Sequence, residues 1–202
     1  MNNFVSHWMD EQIWPQIWKM LLDDAYFRLV GHARELTGKL NGSVAQVILD
    51  GYLTSQTVTI RRLCDRRRDV ISLRRVLTEA RASNIATRDQ DDQLSDILDS
   101  CDHVHDLVSD HIAHTADPLR RPNVSGWKLQ MSDLVEAQKA ICRVAVTVDR
   151  DLLHRNVAIN LIPEPQFNIM EDFTLWVPDE MIDNLWKFWH AHKRSVNAWR
   201  FP

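Results

Sequence analysis

Three polar side chains between residues 94 and 116 have the types and spacing of an acid–base site. A helix is predicted over this span, and at 100° per residue His103, Asp110 and His114 fall within about 40° of one another. A neutral imidazole accepts a proton near pH 7, and a carboxylate one turn away orients the ring or raises its pKa. The pattern therefore indicates a helix face that could hold and move a proton.

The same face supports two other interpretations. Polar side chains usually occupy the outer surface of a helix, so these residues could form a solvated face that is simply rich in histidine. Alternatively, Asp110 and His114 lie four residues apart and His111 lies three before His114, a spacing that could ligate one metal ion. No complete metal signature accompanies them, and we predict neither a metal nor a cofactor. Leu107 falls among these side chains, which favours an interface over open solvent.

Arginine is concentrated between residues 61 and 81. Eight of the chain's 18 arginines lie there, namely Arg61, Arg62, Arg66, Arg67, Arg68, Arg74, Arg75 and Arg81. Only Asp65, Asp69 and Glu79 offset this charge locally. Such a patch could hold phosphate groups and would bind them in a salt-sensitive way. The more usual interpretation of a charge run is a solvated helix end, with intrahelical pairs such as Arg61 with Asp65.

Tryptophan is abundant near both ends of the chain. Seven of the eight tryptophans lie there: Trp8, Trp14, Trp18, Trp176, Trp186, Trp189 and Trp199. Docking of the two ends on each other, or across a dimer, is the favoured interpretation. Stacking of nucleic-acid bases on these rings is the physical alternative.

Composition indicates a helical globular protein. The chain of 202 residues has 5 Gly and 7 Pro, too few for the tight turns of an all-β protein. Its net charge of −4 argues against a globally basic nucleic-acid-binding surface, although a local patch is compatible with it. Three widely spaced cysteines suit the reducing cytoplasm. The sequence has neither a signal-like start nor an apolar run near the ~20 residues that span a bilayer, so we expect no membrane association.

The elements that must position these residues are predicted to be helices. Periodicity and capping residues place them at about 3–38 with an interruption at Pro15, 43–65, 72–83, 91–116, 132–159 and from 178 onward. Ser43 and Ser72 are the expected N-caps of the second and third helices. The expected buried side of the second helix comprises Val44, Ile48, Tyr52, Val58 and Leu63. Residues 163–177 are expected to be irregular, with a short extended piece at 173–177.

Two sequence runs follow a pattern that is typical of one family of helical proteins. The first is Arg61-Arg62-Leu63-Cys64-Asp65 followed by Ile71-Ser72-Leu73-Arg74-Arg75-Val76-Leu77, and the second is Ser109-Asp110-His111-Ile112-Ala113-His114. In order and separation they resemble the abortive-infection-type subgroup of the HEPN superfamily. With the helical periodicity, this predicts an all-α bundle of about five to six helices in a single domain, 1–202. A HEPN-like core would span about 15–160, with the Pro- and Trp-rich segment 163–202 packed on it.

The resemblance implies a dimer that cuts RNA without a metal, in a cleft where an Arg and a His of each subunit meet. By position, only His114 carries over, as the base that helps to deprotonate the ribose 2′-hydroxyl. The spacing of Asp110, one helical turn away, makes it the candidate that orients this imidazole. The family's Arg, which stabilises the charge developing on phosphate, would stand at 107–109, where this chain has Leu107, Val108 and Ser109. Either another arginine replaces it, for which Arg120 and Arg121 are the nearest candidates in the sequence, or cleavage is lost and binding remains. Together with His103 and His111, these two arginines form the predicted substrate-binding set.

Three hypotheses about function follow. The first is a metal-independent endoribonuclease of a bacterial defence or toxin–antitoxin type system, active as a homodimer. The second is a catalytically degenerate HEPN-like module that binds RNA, a nucleotide or a partner protein. The third is a plain helical dimer that acts as an interaction protein through its Trp-rich ends.

Overall fold

The computed structural model describes residues 4–107, 129–155, 160–164 and 168–200, without the side chains of residues 105–107. Within these ranges the chain is all helix and loop, and six helices have ten residues or more, which confirms the predicted all-α bundle. The α-helices are α1 (Phe4–Trp8), α2 (Trp14–Thr37), α3 (Ser43–Leu63), α4 (Leu73–Ala82), α5 (Arg88–Asp99), α6 (Asp102–Leu107), α7 (Met131–Thr147) and α8 (Asp179–Asn197). Two π-helical turns, Met9–Ile13 and Val148–Leu152, and two 3₁₀ helices, Asp172–Leu175 and Ala198–Arg200, complete the described elements.

The predicted interruption at Pro15 takes the form of a π-helical turn followed by a new helix. The π turn Met9–Ile13 carries the chain into α2, and Pro15 lies in the first turn of α2. A proline is tolerated there because the first N–H groups of a helix have no intrahelical acceptor. The helix ends at Gly38, whose left-handed φ of +67° closes it with an N–H bond to the carbonyl of Arg34.

The predicted buried side of α3 is wrong at its two outer valines. Tyr52 and Leu63 are buried as expected, but Val44 and Val58 are exposed. The face that packs on the bundle is shifted around the helix and includes two buried polar residues, Gln56 and Thr57. Apolar periodicity alone does not anticipate this, because it gives no signal for buried polar residues such as Gln56 and Thr57. Ser43 is also the first helical residue of α3, and Gly42 stands at the N-cap position.

The helix predicted over 91–116 is divided in its first half. The helix α5 begins earlier, at Arg88, because Thr87 and Gln90 form a capping box. It ends before a turn at residues 100–101, after which α6 begins at Asp102. Cys101 is fully buried in that turn, and its N–H bonds to the carbonyl of Leu98. By contrast, α4 is confirmed with its predicted cap, since the Ser72 hydroxyl accepts the N–H of Arg75.

The C-terminal part of the described chain contains the last two long helices, α7 and α8. The helix α7 begins at Met131 and passes into the π turn Val148–Leu152, so it ends earlier than predicted. The extended piece predicted at 173–177 is instead a 3₁₀ helix, Asp172–Leu175. After Pro178, as predicted, α8 begins and packs on α2, where the ring of Trp189 lies 6.0 Å from that of Tyr26. None of the helices in the described ranges combines the length and the apolar content that crossing a bilayer requires.

Candidate functional site

The histidine face predicted from the sequence is represented in the described ranges by His103 alone. His103 lies in the first turn of α6, where its side chain is exposed and its Nδ1 is 2.9 Å from the carbonyl oxygen of Ser100. The other predicted site residues, Asp110, His111, His114, Arg120 and Arg121, lie outside the described residues. The acid–base site therefore stays a prediction.

The arginine-rich segment forms a cavity of about 510 Å³ where the end of α3 meets the loop 64–72. Its lining comprises Gln12, Val58, Arg61, Arg62, Asp65, Arg67, Asp69, Val70 and Ile71. Gln12 comes from the π turn that precedes α2, so two distant parts of the sequence share the wall. Three guanidinium groups face two carboxylates, which makes the lining positively charged. We call this the arginine cavity.

Two residues of the sequence run from Arg61 to Leu77 build the loop that shapes the arginine cavity. The buried Asp65 accepts the backbone N–H of Arg67 at 2.8 Å, which holds the first turn of the loop. The buried Ser72 donates its hydroxyl to the backbone carbonyl of Asp65 at 2.7 Å, which joins the end of the loop to its start. Arg74 bonds through Nε to the carbonyl of Cys64 at 3.1 Å. The spacing of Asp65 and Ser72 thus has a local structural cause.

Five of the eight clustered arginines are neutralised within the protein. The ion pairs are Arg66 and Arg74 with Asp99 and Asp102, Arg67 with Asp65, Arg75 with Glu79, and Arg81 with Asp91. Because Asp99 and Asp102 flank the turn between α5 and α6, Arg66 and Arg74 tie that turn to the loop. For these five residues, the interpretation of the charge run as ordinary paired surface holds.

The other three arginines have no such partner. In the part of the chain that the structure describes, no hydrogen bond or ion pair engages the guanidinium groups of Arg61, Arg62 or Arg68. Arg61 and Arg62 line the arginine cavity, and Arg62 is exposed to solvent. A guanidinium presents several N–H donors in a planar fork that matches phosphate and carboxylate oxygens. These two side chains are therefore free to receive an anion.

A second cavity of about 710 Å³ is also lined by an arginine, but the side chain of this arginine is hydrogen-bonded within the protein. The lining comprises Ser6, Glu79, Ala82, Ser83, Asn84, Ile85, Leu152, Leu153, His154 and Arg155. Arg155 donates to Ser6, to both oxygens of Asp10 and to Asp149, at distances between 2.6 and 3.2 Å. Its guanidinium joins the two π turns, which carry Asp10 and Asp149. We call this the Arg155 cavity.

The Arg155 cavity lies at two helix ends that close with left-handed residues. Asn84 has a φ of +57° after α4, and His154 has a φ of +52° after the second π turn. The next residues bond back, with the Ile85 N–H on the carbonyl of Ala80 and the Arg155 N–H on that of Asp149. Left-handed caps of this kind terminate helices. Asparagine tolerates this conformation better than histidine does.

Two buried aspartates, which sequence reasoning missed, differ in how well their charge is compensated. Burial alone would raise the pKa of Asp24, but hydrogen bonds from His192, Arg28 and Tyr52 outweigh it and lower the pKa to about 2. Burial raises the pKa of Asp149, and the bonds from Trp14 and Arg155 do not fully offset it. Asp24 joins α2, α3 and α8, so its role is structural. The signal available in the sequence was a carboxylate within the apolar stripe of α2.

A second set of buried polar contacts joins α3 to α2 and α7. Gln56 donates to the backbone carbonyl of Met20, and its side-chain oxygen accepts an N–H of Gln138 at 2.9 Å. Gln56, Gln138 and Met20 are all almost fully buried. The network accounts for the polar residues on the packed face of α3.

The described residues contain no group of three or more His, Cys, Asp or Glu side chains that is arranged to hold a metal ion. No protein-family model, curated protein or solved structure matches this chain. The HEPN resemblance therefore stays a prediction, and the chemistry of the arginine cavity rests on its own residues.

Proposed function

We propose that this protein is a homodimeric, HEPN-like module that binds RNA or a nucleotide through phosphate groups at the arginine cavity. Within that proposal it serves a bacterial defence or toxin–antitoxin type system. The observation that carries it is that Arg61 and Arg62 both line this cavity and that neither guanidinium group has a hydrogen-bond or ion-pair partner among the described residues. Five other arginines of the segment, Arg66, Arg67, Arg74, Arg75 and Arg81, form ion pairs with acidic side chains of the protein.

The electrostatic setting of Arg61 and Arg62 supports phosphate as the ligand. Both residues lie in the last turn of α3, where the negative end of the helix dipole stabilises a positive side chain. That stabilisation leaves the N–H donors at the tip of each side chain available. Asp65, the nearest buried carboxylate, is held by Arg67 and by a backbone N–H. An arriving phosphate therefore meets two guanidinium groups that pair with no acidic side chain among the described residues.

A metal-independent endoribonuclease is the second proposal. It is favoured by one contact, the ion pair of 2.5 Å between Arg66 and Asp102, which fastens the arginine-rich loop to the start of α6. The predicted acid–base face begins on α6 at His103, so RNA held at the loop would lie near that element. In this proposal His114 acts as the base, as the resemblance implies, and Asp110, one turn away on the predicted helix, orients it.

The binding proposal is tested by fluorescence anisotropy of a labelled, structured RNA with an Arg61→Gln/Arg62→Gln variant. We expect affinity to fall by about tenfold or more, because two charge-assisted contacts are lost. The matched control is Arg88→Gln, whose exposed side chain pairs only with Asp92 at 3.6 Å. Equal weakening in the variant and the control would contradict a specific site and leave only general charge attraction.

The cleavage proposal has its own experiment. End-labelled structured RNA is incubated with wild type and His114→Ala in excess chelator. Cutting by wild type that vanishes in the variant supports the ribonuclease. No cutting by wild type, or equal cutting by both proteins, removes His114 as the base and leaves the binding module.

A further inference from the structure

Two of the three cysteines meet in the fold, although they are far apart in the sequence. Cys64 is the C-cap residue of α3, and Cys101 lies in the turn between α5 and α6. Their thiols are hydrogen-bonded to each other, and both residues are buried. The Cys101 thiol also lies 3.7 Å from the carbonyl oxygen of Ala137 on α7. We call Cys64 and Cys101 the thiol pair.

The side chain of Arg74 holds together the two segments that carry the thiol pair. Its Nε donates to the carbonyl oxygen of Cys64 at 3.1 Å. Its Nη2 donates to Asp99 at 2.7 Å and to Asp102 at 3.4 Å, and these two residues flank Cys101 in the turn. One guanidinium group therefore fixes the end of α3 beside the turn between α5 and α6. The contact between the two sulfur atoms follows from this arrangement of the backbone.

The two thiols differ in how readily they ionise. A hydrogen bond from Cys64 lowers the pKa of Cys101, and the Ser100 hydroxyl and the positive charge of Arg74 lower it further, against the effect of burial. The same contact, together with burial, raises the pKa of Cys64. The thiolate is the nucleophilic form of cysteine, and a neighbouring thiol converts its first oxidation product into a disulfide. Cys101 is thus suited to react first and Cys64 to react second.

Exposed ion pairs cover the two segments on the solvent side. The side chain of Arg66 is 60% exposed and pairs with Asp99 and Asp102. Exposed pairs contribute little to stability, and loops open locally at low cost in free energy. A small, uncharged oxidant therefore has a route to the thiol pair. Cys142 is also fully buried, but burial raises its pKa and no second thiol contacts it among the described residues.

We infer that Cys64 and Cys101 form a peroxide-sensitive dithiol that closes into an intramolecular disulfide. The Cys101 thiolate attacks one oxygen of hydrogen peroxide, the O–O bond breaks and hydroxide leaves, which gives a sulfenic acid. The Cys64 sulfur then attacks the Cys101 sulfur, the S–O bond breaks, and the departing hydroxide takes the Cys64 proton. The two thiols lose two electrons and two protons in total, and the peroxide becomes two molecules of water.

The disulfide links the start of the loop 64–72 covalently to the turn between α5 and α6. Without it, ion pairs with exposed side chains hold these segments, and such pairs are weak. A covalent link also restricts the unfolded chain. We therefore expect oxidation to raise the midpoint of thermal unfolding by about 5 °C or more.

Peptide mapping by mass spectrometry tests the inference on the full chain, treated with hydrogen peroxide and then alkylated. We expect wild type to lose two of its three free thiols and to yield a cross-linked peptide that contains Cys64 and Cys101. Dithiothreitol should restore both thiols. Cys142→Ser is the matched control and should form the same cross-link. Cys64→Ser should stop at a sulfenic acid on Cys101, which dimedone captures.

The contrary results are distinct. A disulfide that includes Cys142, or one that joins two chains, would overturn the pairing. Three free thiols in wild type after a treatment that oxidises dithiothreitol would overturn the reactivity, and this readout does not depend on any variant folding. Equal thermal midpoints for the reduced and the oxidised protein would overturn the stabilising link. The inference does not depend on RNA binding, so its failure leaves the arginine cavity untouched.

Discussion

The arginine cavity and the Arg155 cavity both contain guanidinium groups, and they differ in what those groups contact. Arg155 is surrounded by Ser6, Asp10 and Asp149, and both terminal nitrogens of its guanidinium group donate to these residues. Arg61 and Arg62 have no partner among the described residues. The contacts of Arg155 stabilise the fold, whereas the guanidinium groups of Arg61 and Arg62 are available to bind a ligand. The number of charged residues in the sequence does not distinguish these two kinds of arginine. The hydrogen-bond and ion-pair partners in the structure do.

The largest expected effect is on stability, at Arg155. We expect Arg155→Ala to lower the free energy of unfolding by about 3 kcal/mol, because it leaves the buried Asp149 without its cationic partner. We expect Arg62→Ala to change it by less than about 0.5 kcal/mol, since its side chain is exposed and unpaired. Urea unfolding followed by circular dichroism measures both. Equal losses in the two variants would break the distinction between the cavities.

The buried carboxylate of Asp24 makes the free energy of unfolding depend on pH. The folded-state pKa of Asp24 is about 2, below its ordinary value of 3.8, because hydrogen bonds from His192, Arg28 and Tyr52 outweigh burial. A depressed pKa contributes stability that is present above pH 3.8 and is lost as pH falls towards 2, in total about 2.5 kcal/mol. We expect Asp24→Asn to be less stable at pH 7 and to lack this acid-induced loss. A variant that loses stability between pH 4 and 2 as steeply as wild type would assign the acid sensitivity to another group.

The smallest stability effect is expected at the left-handed cap of the Arg155 cavity. We expect His154→Gly to raise the free energy of unfolding by up to about 1 kcal/mol, because glycine adopts a φ of +52° without steric cost. Asn84→Gly is the control at the other cap, where a smaller gain is expected since asparagine tolerates this conformation. Thermal unfolding compares the two. A loss of stability in His154→Gly would show that the imidazole makes contacts that outweigh the strain.

Local signals in the sequence predicted much of the helical frame. Ser72, Gly38 and Pro178 mark helix ends because each acts on the backbone within a few residues. The exposure of Val44 and Val58 was not predicted. It follows from the burial of Gln56, which is hydrogen-bonded to Gln138, a residue 82 positions away in the sequence. The break before Asp102 was missed for the same reason, since Arg66 and Arg74 hold it from another element.

The candidate site divides in the same way. The arginine run was visible in the sequence as a charge cluster, but the neutralisation of Arg66 and Arg74 depends on Asp99 and Asp102, more than 20 residues away. The Arg155 cavity had no sequence signal, because Ser6, Asp10 and Arg155 lie at opposite ends of the chain and meet only in the fold. Spacing within one helix finds local sites, and long-range ion pairs decide which charges remain available.

The salt dependence of RNA binding tests the central claim most directly. Each phosphate that an arginine neutralises releases counterions, so log affinity falls with log salt in proportion to the number of such contacts. For single-stranded RNA, we expect Arg61→Gln/Arg62→Gln to reduce the magnitude of that slope by about 1.4 relative to wild type, and Arg88→Gln to leave it unchanged. Parallel lines for wild type and the double variant would contradict the account, because they would show that neither Arg61 nor Arg62 contacts a phosphate.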